Sequence, residues 1–306
     1  MRYTHASLFS GIGGAELAAS WLGWDNVFHC EIQEFQRKVL EYWFPNSISY
    51  EDITKTDFSR WRGHIDVLTG GFPCQPFSVA GKRKGAEDNR YLWAEMLRAI
   101  RQIQPTWVVG ENVAGLLSMV QPGKAIKVGR ADDLFDENFI YRTEQQFTID
   151  AICEDLEHTG YSVQPFVIPA CSVGAPHRRD RVWIIAHRTN ARSESMQQGR
   201  KDGISEFGVV ADTKGTGSAR ELFCQQEQIQ SDRQNYRIDK PDFADFPTQS
   251  PVCSRNDGLP FRVADLTLSF PQWRSKSIEA LGNAWVPQVA YEIFKAIDNY
   301  DKMYKL

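Results

Sequence analysis

The strongest constraint on this chain is an alternation, across residues 6–186, of short apolar runs with amphipathic stretches of helical spacing. Short apolar runs bounded by turn signals suit strands buried on both faces, and longer stretches with 3.6-residue spacing suit helices that cover them. The pattern predicts strands at 6–9, 27–30, 67–69, 107–109, 163–168 and 182–186, and helices at 15–22, 32–43, 91–102 and 147–158. Such an order folds as an α/β protein with an open, doubly wound, mostly parallel sheet, whose ligands bind beyond the carboxyl ends of the strands. Gly11, Glu31, Cys74 and Glu111 each end or follow a predicted strand, which aligns them along one edge.

The alternation breaks twice. Residues 118–142 read as irregular and polar, and from 187 to 258 Gln, Ser, Arg, Asp and Gly dominate while apolar periodicity fades. The second stretch is either a long disordered insertion or a small loop-rich recognition domain ordered partly by its ligand. Beyond it, Val289, Ile293 and Ile297 form a helical stripe that should pack back on the first lobe. The expected division is a catalytic domain at 1–186, a recognition domain at 187–274, and a returning segment at 275–306.

Composition excludes several classes. A chain of 306 residues with 42% hydrophobic and 24% charged residues buries a substantial core and is neither fibrous nor largely disordered. No run approaches the roughly 20 apolar residues of a membrane helix, and the N-terminus enters a strand without a signal-peptide core, so a cytoplasmic protein is expected. The six cysteines are scattered with no CxxC pair, which suggests neither a disulfide framework nor a zinc site, and no metal is expected. A net charge of -4 argues against a protein that coats nucleic acid, although Lys82-Arg83-Lys84 and Arg178-Arg179 concentrate positive charge locally.

Four segments carry chemistry. Phe9-Ser10-Gly11-Ile12-Gly13-Gly14 takes a strand into a glycine turn at a helix start, where backbone can approach a ligand closely. Its spacing is not the GxGxxG of a dinucleotide site. Gly70-Gly71-Phe72-Pro73-Cys74-Gln75-Pro76 sets a thiol between two stiffening prolines after a strand end; a nucleophilic role needs a nearby positive field or helix start. Glu111 ends an apolar strand, where burial raises a carboxyl pKa and suits it to donate a proton near neutrality. In Arg179-Asp180-Arg181, period two puts both guanidinium groups on one side of an extended segment.

These blocks, with Gly282-Asn283-Ala284, stand in the order and spacing of the DNA cytosine-5 methyltransferases, which the chain resembles over residues 7–186 and 278–297. The resemblance implies a Rossmann-like methyltransferase fold, S-adenosylmethionine as cofactor, and duplex DNA as partner. It makes Cys74 the nucleophile that adds to carbon 6 of a flipped cytosine, Glu111 the acid at N3, and Arg181, supported by Arg179, the group at the O2 side. Cofactor contacts fall on Phe9, Ser10, Gly11, Ile12, Gly13, Gly14, Glu31, Ile32, Asp52, Ile53, Pro73, Asn283 and Ala284. Gln75, Ser78, Lys82, Arg83 and Arg90 would contact DNA from the loop at 78–90, and the region at 187–258 would read bases in the major groove. The implied enzyme is a monomer, with a cognate restriction endonuclease as a possible functional partner. A tRNA-methylating branch carries a Cys-Phe-Thr signature that is absent here, and silent relatives lose the nucleophile or acid that this chain keeps. Two departures stand out: His177 where the family often has Gln, and Trp285 where it has a smaller residue.

Overall fold

A computed structural model describes residues 2–73, 92–119, 124–130, 139–144, 147–189 and 268–304. Its strands are β1 (Thr4–Leu8), β2 (Asp25–Cys30), β3 (Ile48–Tyr50), β4 (Val67–Gly70), β5 (Trp107–Val113), β6 (Lys124–Arg130), β7 (Phe139–Glu144), β8 (Tyr161–Pro169) and β9 (Asp180–Arg188). The helices are α1 (Gly14–Trp21), α2 (Glu34–Trp43), α3 (Trp93–Ile103), α4 (Thr148–Glu157), α5 (Phe270–Asn283) and α6 (Pro287–Tyr304).

Among the described residues, seven strands form one sheet in the order β3-β2-β1-β4-β5-β9-β8. Pairing is parallel from β3 to β5 and antiparallel from β5 through β9 to β8. The doubly wound, mostly parallel sheet is therefore present, with an antiparallel edge. Strand alternation explains its two cores. Ala6 and Leu8 of β1, Leu68 of β4, Val108 of β5, and Val182, Ile184 and Ala186 of β9 face one side, where they meet Trp93, Met96 and Ile100 of α3 and Ile152 and Leu156 of α4. Val67, Trp107, Val109 and Trp183 face the other, with Ala15, Ala18 and Ala19 of α1 and Val289, Ala290, Ile293 and Phe294 of α6. A sheet buried on both faces needs apolar residues at successive positions, which is why period two is hidden in these strands.

Helix α6 returns to the first lobe as its stripe predicts and extends past residue 297 to Tyr304. Phe294 is fully buried and stacks on Trp24 at 4.9 Å, while Asp301 accepts a hydrogen bond from the Tyr3 hydroxyl at 2.7 Å. Three elements differ from expectation. The irregular stretch at 118–142 contains the antiparallel ribbon of β6 and β7; charges at every third position, Lys124, Lys127 and Arg130, mask strand alternation there. The three-residue β3 is too short to register as a periodic run. Helix α5 spans the expected division at 274 and 275, packing Trp273 and Ala280 against Phe35 and Val39 of α2. The stretch at 190–267, expected to recognise the target, lies outside the described residues. No helix among the described residues is long and apolar enough to cross a membrane.

Docking of α6 thus rests on a stacked aromatic in a closed core. Phe294→Ala should lower the unfolding free energy by roughly 3–5 kcal/mol, measured by urea denaturation, whereas a loosely attached helix would show a change well below 1 kcal/mol.

Candidate active site

The carboxyl ends of β1 and β4 border a small, partly open cavity. Its wall is Ser7 to Ser10 from β1 and its turn, Ala15 from α1, Thr69 to Gly71 from β4 and its turn, and the indole of Trp285 from the α5–α6 connection. The glycines are there for space. A Cβ at Gly71 would lie 2.7 Å from Trp285 Nε1, and one at Gly14 would lie 2.9 Å from Trp285 Cβ. Trp285 meets Trp183 of β9 edge-on at 5.0 Å, so the indole is wedged between α1, the β4 turn and the sheet.

The β1 turn runs through left-handed conformations at Phe9 (φ 52), Gly11 (φ 57) and Gly13 (φ 92). At Gly13 a Cβ would strike the Phe44 ring at 2.6 Å, while at Gly11 no described residue would lie within 4 Å of one, which leaves that backbone open to a ligand. Glu31 closes the turn: its carboxylate accepts from Gly11 N and Gln33 N, each at 2.8 Å. Burial raises its pKa and these amides oppose the rise. The neighbouring Ile32 side chain is 61% exposed, an apolar surface beside that carboxylate. Ile12, half-buried, packs against the core between α2 and α5.

Other predicted contacts have local duties. Asp52 accepts from the backbone and hydroxyl of Thr54, at 2.9 and 2.7 Å, and pairs with Lys55; the Thr54 hydroxyl is the leading cause of its lowered pKa. Ile53 is buried, with its carbonyl accepting from Arg98. Pro73 and Asn283 are exposed, and Ala284 follows α5.

Across the cavity, Glu111 lies opposite Trp183 in the β5–β9 ladder and Val113 opposite Arg181. Glu111 and Arg181 are therefore diagonal neighbours on one face, and Arg181 Nε sits 2.9 Å from Glu111 Oε1. The pairing does not dominate: burial pushes the Glu111 carboxyl up to about 7, against the lowering pull of Arg181 and Arg179. Loss of hydration outweighs the nearby charge. Next along β5, Asn112 donates from Nδ2 to the Phe72 carbonyl at 2.9 Å, and Phe72 packs on Trp93 at 5.1 Å. These contacts fix the turn at Phe72 beside Glu111.

The two arginines diverge. Arg179 has φ 40, which breaks the extended alternation one residue before β9 begins. Its Nη2 donates to the carbonyls of Gly282 and Ala284 at 2.9 and 2.6 Å, so it braces the α5–α6 connection rather than lying beside Arg181 on one strand face. Burial, then the like charge of Arg181, lowers its pKa. Cys74, Gln75, Ser78, Lys82, Arg83 and Arg90 lie outside the described residues. Sequence reasoning missed the carboxylate Glu16, and did not single out Ser7 and Thr69, which line the cavity; an acid among the small residues of Gly14-Ala15-Glu16-Leu17-Ala18-Ala19 was the available signal.

A family model of C-5 cytosine-specific DNA methylases matches residues 3–128 and 137–245. Among curated proteins, the chain is 36% identical over 191 residues to the type II methyltransferase M.PspPI of Psychrobacter sp. (strain TA137), covering 61% of this chain and 40% of that protein. It is 31% identical over 217 residues to M.HpaII of Haemophilus parainfluenzae, covering 70% and 54%. The aligned parts are thus about two fifths to one half of the length of these relatives. Among solved structures, the Dnmt2 methyltransferase of S. pombe superposes with a TM-score of 0.47 at 19% identity, covering 61% of this chain and 51% of that one.

The raised Glu111 pKa carries a pH signature. A carboxyl that holds its proton more tightly when folded favours the native state fully below the unfolded pKa of 4.5, and that contribution is lost as pH rises through about 7. Glu111→Gln should therefore be more stable than wild type at pH 8, by roughly 3 kcal/mol at most, with the advantage shrinking toward pH 4.5. Thermal melts of both proteins across that range check it; an advantage that grows on acidification would contradict the assignment.

Proposed function

Since the chain belongs to the C-5 cytosine-specific DNA methylase family, we propose that it transfers a methyl group from S-adenosylmethionine to carbon 5 of a cytosine flipped out of duplex DNA. The observation that carries this reading is the ion pair of buried Glu111 with partly buried Arg181, beside the Gly70–Pro73 turn that precedes Cys74 in the sequence.

The cofactor suits the residues present. Serine and threonine hydroxyls, glycine backbone and one indole line the cavity, a polar setting that suits the amino-acid end of the molecule. Phe9 to Gly14, Thr69 and Trp285 would hold the amino-acid end, with Asn283 and Ala284 beside them. Glu31 and Ile32 would hold the nucleoside, the carboxylate toward ribose hydroxyls and the apolar chain toward the base. Asp52, Ile53 and Pro73 complete the proposed set. When bound, S-adenosylmethionine supplies an electrophilic methyl group.

The chain's own residues activate the target. Carbon 5 of cytosine is a poor nucleophile until the Cys74 thiolate adds at carbon 6. Glu111, with a carboxyl that titrates near neutrality, hydrogen-bonds or protonates N3 and draws electron density into the ring. Arg181 keeps that acid oriented and meets the O2 side, while Arg179 holds the wall against which the ring closes. Once carbon 5 has been methylated, a base takes its remaining proton, the 5,6 double bond re-forms, and Cys74 leaves as the thiolate. Extruding the base costs on the order of a few kcal/mol, to be offset by the loop carrying Gln75, Ser78, Lys82, Arg83 and Arg90. The segment at 187–274 would read the sequence. The enzyme would act in the cytoplasm as a monomer, with a restriction endonuclease as functional counterpart.

Cys74→Ser should abolish transfer of labelled methyl to duplex DNA, a loss of at least a thousandfold, while calorimetry shows S-adenosylmethionine still bound. Undiminished transfer by that variant would exclude Cys74 as the nucleophile, and labelling of tRNA in preference to duplex DNA would overturn the substrate.

A further inference from the structure

Behind the cavity wall lies a fully buried carboxylate that the proposed reaction does not use. Glu16, in the first turn of α1, has no exposed surface, and its Oε1 accepts a hydrogen bond from the Ser7 hydroxyl. Ser7 Oγ is in turn 2.5 Å from Ser10 Oγ, and both serines line the cavity. The second carboxylate oxygen, Oε2, has no hydrogen-bond partner among the described residues. No lysine or arginine is among the described residues that line the cavity. Glu31, which bears on Glu16 electrostatically, has the same sign.

A buried acid without a counter-charge is costly, and removing one partner from a charged pair leaves a similar cost. Burial accordingly pushes Glu16 up to about 7, with the Ser7 and Ser10 hydroxyls pulling it back. The serines also set the polarity of the wall. When Ser7 gives its proton to Glu16 it has only acceptor lone pairs left to offer, and Ser10, beside it, can point its proton the same way. A chain of hydroxyls ending on a carboxylate therefore presents acceptors to the cavity, and the complementary ligand group is a cationic donor. Within the reading above, which this inference rests on, such a group is the α-ammonium of the cofactor's amino-acid end.

We propose that Glu16, acting through Ser7 and Ser10, is the counter-charge that selects and positions the ammonium group of the cofactor. It is a positioning residue, since the serines stand between its carboxylate and the ligand. Charge-assisted hydrogen bonds are about twice as strong as neutral ones, so the carboxylate strengthens the serine contact without touching the ligand.

Calorimetric titration with S-adenosylhomocysteine, and with its analogue lacking the α-amino group, tests this on the full chain. Wild type should bind the parent compound roughly tenfold or more tightly than the deamino analogue. Glu16→Gln keeps the shape and removes the charge; it should lose most of that preference, binding the parent roughly tenfold more weakly and the analogue unchanged. Ser7→Ala, which cuts the link between carboxylate and cavity, should lose the preference too. If both variants keep the wild-type preference, the role of Glu16 is overturned while the cofactor assignment stands. If wild type binds neither compound, the cofactor assignment fails and this inference fails with it.

Discussion

The indole of Trp285 occupies volume that side chains at residues 14 and 71 would otherwise take. That exclusion joins three parts of the chain: the start of α1, the turn after β4, and the connection between α5 and α6. Small residues in the first two are required because a large one in the third fills the space between them. Arg179 holds the same connection from a different direction by donating to two of its carbonyls. The wall of the cavity is therefore built jointly by segments at opposite ends of the sequence, and its shape depends on their registry.

Electrostatics then divides the site into two acids with different settings. Glu111 has a guanidinium partner on the neighbouring strand, and Glu16 has hydroxyls and an oxygen without a partner among the described residues. Burial carries both carboxyls to about 7 by different balances. One sits within β5, just past its pairing with β4, and the other behind β1. Two carboxyls raised to a similar value are thus held there by different surroundings, one beside guanidinium groups and one beside hydroxyls.

Most of the central sheet was legible in the sequence because its strands are apolar runs separated by helices with clear amphipathic spacing. Gly11, Glu31 and Glu111 reach one edge by the same logic, since the ends of parallel strands point one way. The Arg179–Arg181 reading fell short because period two holds only while the backbone stays extended, and φ 40 at Arg179 ends that condition. Glu16 was hidden for another reason. An acid in the first turn of a helix is ordinarily explained by the helix dipole, and only the packing of α1 between β1 and α6 shows that it faces inward. Trp285 was visible as a departure, yet its place between Gly14 and Gly71 depends on contacts across about 200 to 270 residues, which no local pattern encodes.

The bond from Tyr3 to Asp301 joins residues 298 positions apart. During synthesis strand β1 is made long before its covering helix α6, so the apolar face formed by Tyr3, Trp24 and Val67 waits uncovered until that helix follows. Such separation slows folding, because chain closure is paid for before the contact is gained. The wall that holds Trp285 is complete only once α6 has docked, so the shape of the cavity depends on a contact between segments made far apart in time.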